Sequence, residues 1–207
     1  MKMIPRSELG RVGTTDPVRV YYLPVIGAMY RKRVDLCLEL CRQGEKVLEV
    51  GFGSGLTFLS MADKYRQIYG LDMDSDIAHV TRYFKEKGLD VNLLNGNVLD
   101  MPYEDNTFDT VILISILEHL QPDVLNKAAG EIKRVLRTGG QVVIGVPVER
   151  PLMTLLFLMI GYNIRKYHFS THQQVMDAMG SAMKEDRIEA LQSIFGRLYL
   201  AGSFNKI

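Results

Sequence analysis

The feature that most constrains the fold is a short apolar segment that leads directly into a glycine-rich turn. Residues 47–50 read Val-Leu-Glu-Val, and Gly51, Gly53 and Gly55 follow at alternate positions. Glycine lets a chain turn sharply and approach a ligand closely, and a helix after the turn presents free N–H groups. Such a loop predicts a site for an adenosyl-type cofactor. Alone it is weak evidence, because nicotinamide and flavin enzymes use a similar loop.

Apolar strand candidates alternate with helical patterns along the chain. The predicted strands are Lys46–Val50, Gln67–Leu71, Val91–Leu94, Thr110–Ile114 and Gln141–Val146. The predicted helices between them are Leu56–Lys64, Asp76–Lys87 and Pro122–Leu136, the last ended by Gly139-Gly140. Strands without polar alternation are typical of a parallel sheet covered on both faces. The alternation predicts a doubly wound α/β fold.

Asp72, at the tip of the second predicted strand, strengthens the cofactor interpretation. A carboxylate there can accept hydrogen bonds from both ribose hydroxyls of an adenosine held over the first turn. As an alternative, Asp72 serves as a cap or turn residue, although Asp74 or Ser75 could cap the next helix instead. The combination of strand, glycines and a later acid favours the ribose role.

Five motifs, in the right order, resemble those of class I S-adenosylmethionine-dependent methyltransferases of the small-molecule type. They are Val47–Gly55, Gly70–Asp74, Asn95–Asp109, Ile114–Leu120 and Arg134–Gly140. The resemblance covers residues 46–147. It implies a Rossmann-like, seven-stranded and mostly parallel sheet with an antiparallel last strand and helices on both faces. It also implies S-adenosylmethionine as the cofactor and S-adenosylhomocysteine as the product.

The resemblance further implies which residues bind the cofactor. The amino acid end would be held by Glu49, Gly51, Phe52, Gly53, Ser54 and Gly55. The ribose would bind Asp72, and the adenine would be surrounded by Met73, Asn97, Val98 and Leu99. The methionyl part would face Ile114 and Ser115.

Three of these positions allow a second interpretation. Met73 and Val98 could be plain packing residues, and Glu49 could be a surface strand residue. The family often has Asp where this chain has Asn97, whose amide oxygen can still accept a hydrogen bond from the adenine amino group. Unlike Asp, Asn97 cannot supply a negative charge at that position.

The catalytic residues stay unassigned. Methyl transfer from a sulfonium chiefly needs alignment of donor and nucleophile, and a general base only for a nucleophile with a proton of high pKa. His119, beside Glu118 after the fourth strand, is a weak candidate base. Three tyrosines of the N-terminal segment are candidates for covering the cofactor or for packing: Tyr21, Tyr22 and Tyr30.

The chain of 207 residues is predicted to be a single domain, 1–207, with two helical additions. Residues 1–44 are predicted to form an N-terminal helical lid, broken near Pro24 and ended by Gly44, with Asp16-Pro17 as a helix start. Residues 148–182 are predicted to form a helical insertion that shapes the acceptor site. It contains the helical patterns Pro151–Tyr162 and Thr171–Met179. Two final strands are predicted over Arg187–Ile194 and Arg197–Phe204.

The apolar run Leu152–Ile160 leaves three interpretations open. It is a buried helix over the active site, a lining for an apolar acceptor such as a lipid or quinone precursor, or a segment that rests on a membrane surface. Arg150, Arg165 and Lys166 flank it with positive charge. The run is far shorter than the roughly 20 residues of a membrane-spanning helix.

The composition indicates which classes of binding partner and which cellular location to expect. Lys and Arg number 25 against 24 Asp and Glu, a net charge of +1 that gives no footprint for nucleic acid. No signal segment is recognised, so a cytoplasmic location is expected. The two cysteines, Cys37 and Cys41, would lie on one helix face as small core residues, and no set of metal ligands accompanies them.

Four functions are compatible with the fold class that the sequence predicts. The first is methyl transfer to a small-molecule acceptor. The others are a nicotinamide-dependent oxidoreductase, a non-catalytic S-adenosylmethionine-binding module, and a nucleic-acid or protein methyltransferase. The Pro102–Asp109 signature and the Gly139-Gly140 turn argue against the oxidoreductase. Ser115–Glu118 replaces the Asn/Asp-Pro-Pro-aromatic motif of many enzymes that methylate base amino groups.

Overall fold

Seven strands form one sheet in the computed structural model, which describes residues 1–5, 8, 18–148, 168–193 and 196–207. The strands are β1 (Gly44–Val50), β2 (Tyr65–Asp72), β3 (Val91–Asn95), β4 (Phe108–Ile114), β5 (Leu136–Pro147), β6 (Lys184–Ser193) and β7 (Gly196–Asn205). Their order is β3-β2-β1-β4-β5-β7-β6. The first five strands pair in parallel, and β7 runs antiparallel to both β5 and β6. The predicted doubly wound sheet with an antiparallel last strand is confirmed.

Helices cover both faces of the sheet. They are α1 (Pro24–Leu40), α2 (Phe58–Met61), α3 (Ile77–Glu86), α4 (Leu125–Val135) and α5 (His172–Ala182). On one face, α4 and α5 pack against a core that includes Leu48 and Val50. On the other, α1, α2 and α3 pack with Val47. The sides alternate along β1 because successive side chains of a strand point to opposite faces.

Helix α1 begins at Pro24, whose fixed φ suits a first helical position. It ends at Leu40, and the backbone of Cys41 is already extended. The prediction that Gly44 ends the helix is therefore wrong, because Gly44 begins β1. Its N–H bonds to the carbonyl of Lys64 at 3.1 Å, which brings β1 alongside β2.

Two predicted helices end earlier than expected. In place of Leu56–Lys64, only Phe58–Met61 is α-helical, because bonds between residues three apart close both ends: Phe58 to Gly55 and Lys64 to Met61. Helix α4 ends at Val135, and Leu136 enters β5 opposite Phe108. The predicted stop, Gly139-Gly140, thus lies inside β5.

Side-chain caps fix the starts of α3 and α5. The carboxylate of Asp76 accepts a bond from the backbone N–H of His79 at 3.0 Å, so neither Asp74 nor Ser75 is the cap. Thr171 caps α5 in a reciprocal pair with Gln174.

Cys37 and Cys41 are both free and buried, as predicted. They do not share a helix face, because α1 ends at Leu40 and the backbone of Cys41 is extended. Among the described residues, no helix is long and apolar enough to cross a membrane. Several predictions fall outside the described residues: the helix start at Asp16-Pro17, the helix Pro151–Tyr162, the apolar run within it and its basic flanks.

Candidate functional site

The carboxyl ends of β1, β2 and β4 meet at one edge of the sheet. Val50, the last residue of β1, pairs with Leu71 on one side and Leu113 on the other. The strand order reverses at β1, and open parallel sheets bind ligands outside such a switch point. Asp72 is the last residue of β2, and the glycine loop and Ser115 follow directly after β1 and β4.

The glycine loop has a backbone that only glycine adopts easily. Gly51, Gly53 and Gly55 have φ of 75°, 53° and 72°. A Cβ on Gly51 would lie 2.1 Å from Cδ1 of Ile116, and one on Gly55 would lie 2.7 Å from the Phe84 ring. Both the conformation and the close packing therefore require glycine at these two positions.

Glu49 is a buried charge at the base of the loop. Its side chain is 4% exposed and accepts a hydrogen bond from the hydroxyl of Thr57, the second residue after the loop. The alternative of a surface strand residue is wrong. Sequence reasoning missed Thr57, whose role follows from the cost of burying a carboxylate without a donor.

Asp72 organises the turn after β2. One carboxylate oxygen accepts from the Gly53 N–H at 2.9 Å, and the other accepts from Asp74 and Ser75 at 2.9 and 3.0 Å. The turn role considered as an alternative is therefore real. A carboxylate has about four acceptor positions, so about one remains for a ligand, on the oxygen that faces Gly53.

The residues predicted near adenine differ in burial. Met73 is 66% exposed, so it is not a core residue, whereas Val98 is 5% exposed and packs in the core. Asn97 is exposed, and its amide oxygen accepts from the N–H of Leu99 at 2.9 Å. This bond holds Asn97 in place and leaves a second lone pair on the oxygen.

Ser115 follows Ile114, the last residue of β4, and has a left-handed backbone with φ of 58°. Such a conformation is costly for a residue other than glycine and clusters at functional sites. Two bonds of its hydroxyl hold it: Nη2 of Arg33 lies 2.5 Å away, and the hydroxyl of Tyr199 lies 2.9 Å away. Its N–H bonds to the carbonyl of Gly145 in β5 at 2.8 Å.

Arg33 contacts the candidate site through Ser115, and sequence reasoning missed it. Its guanidinium carbon lies 4.6 Å from the Tyr30 ring centre and 4.3 Å from that of Tyr199. Burial lowers the pKa of Arg33, but its neighbours, led by Tyr199 and including Glu118, outweigh this and raise it. The spacing of Tyr30 and Arg33, three residues apart on one helix, is a signal that could have indicated the pair.

The three N-terminal tyrosines occupy different positions. Tyr30 and Tyr21 meet edge to face, 5.5 Å apart, next to Arg33. Tyr22 instead donates to the carbonyl of Ile4 at 2.5 Å. Tyr30 thus packs against Arg33, which bonds to Ser115, whereas Tyr22 contacts the N-terminal residues.

The turn Leu117–His119 places Glu118 and His119 beyond β4. Glu118 is buried and His119 is exposed. The carbonyl of Glu118 accepts bonds from the N–H groups of Phe169 and Ser170, at 2.9 and 3.1 Å. These bonds bring a segment from beyond β5 to the same edge of the sheet as the loop and Ser115.

Comparison with known proteins supports the predicted family. Residues 48–144 match the family described as "Methyltransferase domain". The matched residues therefore resemble the methyltransferase family that the sequence motifs predict, and the match weighs against the nicotinamide-dependent alternative.

This chain is similar to two curated relatives. Demethylmenaquinone methyltransferase of Bacillus licheniformis is 33% identical over 104 residues, which are 49% of this chain and 44% of the relative. Ajmaline N-methyltransferase of Rauvolfia serpentina is 34% identical over 115 residues, which are 54% of this chain and 39% of the relative. The chain spans less than half the length of these relatives.

The fold of this chain is also found in a solved structure. The N-methyltransferase NodS from Bradyrhizobium japonicum, in complex with S-adenosylhomocysteine, has a TM-score of 0.69 and 17% identity. The match covers 97% of this chain and 95% of NodS. At this identity the likeness concerns the fold alone.

Proposed function

We propose that this domain transfers a methyl group from S-adenosylmethionine to a small, apolar acceptor molecule. The observation that carries the proposal is Phe169, an aromatic side chain that is 49% exposed and is fixed to Glu118 beyond the end of β4. Ligand pockets are lined mainly by apolar and aromatic side chains. The name of one relative, demethylmenaquinone methyltransferase, supports an acceptor of this class.

The cofactor-binding roles are part of the same proposal. Backbone N–H groups of the glycine loop and the buried carboxylate of Glu49 would hold the amino acid end of the cofactor, together with Phe52 and Ser54. Asp72 would use its remaining acceptor position for the ribose. Exposed Met73 offers an apolar surface for adenine, and the Asn97 amide offers an acceptor beside it.

The residues present fit this cofactor. The glycine loop lets a ligand approach the backbone, a carboxylate with spare capacity lies beside it, and an exposed apolar side chain follows that carboxylate. When bound, S-adenosylmethionine supplies an activated methyl group, and S-adenosylhomocysteine remains after transfer. The protein then contributes mainly alignment of the two reactants, which can account for a large part of the barrier.

The acceptor is proposed to lie between α1 and the Phe169 segment. Arg33 and Tyr30 approach Ser115 from α1, and Phe169 approaches Glu118 from the other side. Exposed His119 is positioned at the rim, where it could accept a proton from an acceptor hydroxyl. The 1–44 segment is proposed to act as a lid over this region, and 148–182 to shape the acceptor side.

The test is a transfer assay with S-adenosylmethionine labelled in its methyl carbon. The acceptors are reduced demethylmenaquinone, a water-soluble phenol and mixed cellular RNA. We expect label in the organic-solvent extract with the first acceptor. Label that appears only in RNA or in precipitated protein would overturn the proposed acceptor class, although methyl transfer itself would then be established.

Peripheral membrane contact is a separate part of the proposal, since an apolar acceptor resides in membranes. A flotation assay with vesicles containing anionic lipid measures it. Co-flotation is expected, and absence from the vesicle fraction would remove membrane contact while leaving the acceptor assay unaffected.

A further inference from the structure

Three side chains with metal-binding groups meet beyond the carboxyl end of β4. They are Glu118, His119 and His168, and one ligand atom of each lies within 4.8 Å of the other two. Glu118 and His119 come from the turn after β4, whereas His168 is far away in the sequence. We propose that these three residues bind a divalent transition-metal ion of the Zn²⁺ type. With the ion bound, His119 is a ligand and does not take the proton-accepting role described above.

Backbone hydrogen bonds hold the two halves of the cluster together. The two residues after His168 donate their N–H groups to the carbonyl of Glu118, at 2.9 and 3.1 Å. The hydroxyl of Ser170 adds a bond of 2.6 Å to the carbonyl of Leu120. The rings of His119 and His168 consequently lie 5.1 Å apart, in an edge-to-face arrangement.

The chemistry of the cluster selects the kind of ion. Two imidazoles and one carboxylate are the donor set of many zinc and non-haem iron sites. Ca²⁺ and Mg²⁺ prefer sites built from oxygen ligands, and this cluster offers only one carboxylate. The cluster should therefore favour Zn²⁺ or Co²⁺ over Mg²⁺.

The ligand atoms lie close to the separation that a metal ion requires. Bonds of about 2.0–2.2 Å to a tetrahedral ion place ligand atoms roughly 3.3 Å apart. The ligand atoms are within 4.8 Å in the structure, so each pair has to approach by about 1.5 Å at most. Glu118 is buried while His119 is exposed, so the ion would have a fixed inner ligand and an open side toward solvent.

The charges around the cluster are compatible with an ion that has an open position. Glu118 supplies one negative charge, and the guanidinium of Arg33 is near enough for Glu118 to raise its pKa. A divalent ion added here leaves net positive charge, which an anionic oxygen of a ligand would balance. If the proposed small-molecule function is correct, that oxygen belongs to the acceptor, because Ser115 is only three residues before Glu118.

A purely structural role is the competing explanation. In that case the two rings pack edge to face, and the charge of Glu118 balances that of Arg33 without any ion. The histidines allow a matched comparison, since the chain has four and the other two, His79 and His172, lie outside the cluster. One double variant therefore removes the cluster's histidines, and another removes every histidine except them.

The experiment is equilibrium dialysis of the full chain with Zn²⁺, Co²⁺ or Mg²⁺, without cofactor or acceptor. We expect one tightly bound Zn²⁺ per chain in the unmodified protein and in His79→Ala/His172→Ala. In His119→Ala/His168→Ala and in Glu118→Gln, Zn²⁺ affinity should fall at least about tenfold. Mg²⁺ should bind much more weakly in every case.

Two results would overturn the metal site. One is equal Zn²⁺ affinity in the cluster variants and the unmodified protein, and the other is loss of the ion in His79→Ala/His172→Ala. Calorimetry with S-adenosylmethionine and a thermal melt show whether each variant is folded, and the single variant His119→Ala, at an exposed position, replaces any that is not. Because the dialysis contains no acceptor, failure of the proposed function would leave its result unchanged.

Discussion

The guanidinium of Arg33 donates a hydrogen bond to the hydroxyl of Ser115, with Nη2 and Oγ 2.5 Å apart. This bond joins helix α1 to the end of β4, where Ser115 has a left-handed backbone. An N-terminal helix and a strand end from the centre of the sheet are thereby held as one unit. The geometry of the candidate site therefore depends on a residue outside the segment that matches the family.

Replacement of Arg33 should weaken that unit. Arg33→Ala removes the bond to Ser115 and the contacts with two tyrosine rings, so we expect the free energy of unfolding to fall by about 1–3 kcal/mol. Urea denaturation measures the change. Lys32→Ala removes an exposed cation at the position just before Arg33. It should change the free energy of unfolding by less than about 0.5 kcal/mol. Equal effects of the two substitutions would refute the role of Arg33.

Three glycine substitutions separate backbone strain from packing. Gly130→Ala, in α4 with open space around its Cβ, should stabilise by about 0.5–1 kcal/mol. Gly88→Ala has open space but a φ of 76°, so it should cost about 1–2 kcal/mol. Gly55→Ala meets both a positive φ and two phenylalanine rings, and it should cost more than Gly88→Ala by about 1–3 kcal/mol. Any other order in thermal melts would contradict the loop geometry.

Asp72→Ala should reduce the affinity for S-adenosylmethionine by about 1–3 kcal/mol, because ribose hydroxyls lose their acceptor and the turn after β2 loses three bonds. Calorimetry gives the change in affinity. Asp74→Ala serves as a control, since it removes the same charge from an exposed position two residues away. If Asp72→Ala binds as tightly as the control, the ribose role is wrong.

The buried thiols predict a loss of stability at alkaline pH. Burial raises the pKa of Cys41 to about 12 and that of Cys37 further, whereas unfolded thiols ionise near about 8.5. The folded state therefore retains protons that the unfolded state loses. The free energy of unfolding should fall as pH rises above about 8.5, with a contribution that approaches about 2.7 kcal/mol per pH unit from the two thiols.

Urea denaturation between pH 7.5 and about 9.5, below the range where tyrosines ionise, measures this slope. The double variant Cys37→Ala/Cys41→Ala supplies the comparison. It should be less stable at neutral pH because it has lost buried side chains, but its stability should depend less on pH. If stability depends equally on pH in the double variant and in the unmodified protein, burial does not hold the two thiols in their protonated form.

Local patterns in the sequence predicted the sheet well. The five parallel strands are apolar runs, and the final pair is separated by Gly196, so their positions follow from residues close together in the chain. The ends of helices were predicted less well. Val135 ends α4 because Leu136 pairs with Phe108 in β4, and a pairing between distant segments leaves no local signal at the helix end.

The candidate site likewise combines local motifs, which the sequence predicts, with contacts between distant segments, which it does not. The glycine loop and Asp72 are local motifs, and the structure brings them together with a bond from Gly53 to the Asp72 carboxylate. Arg33 and His168 join the site from opposite ends of the chain through tertiary contacts. Such contacts cannot be read from one sequence, although the pairing of Tyr30 with Arg33 gave a weak signal.

Binding calorimetry with S-adenosylmethionine, S-adenosylhomocysteine and NAD tests the central claim most directly. The glycine loop, the buried Glu49 and the Asp72 carboxylate predict that both sulfur compounds bind with one site per chain and that NAD does not bind. Binding of NAD without binding of either sulfur compound would contradict the assignment of the cofactor.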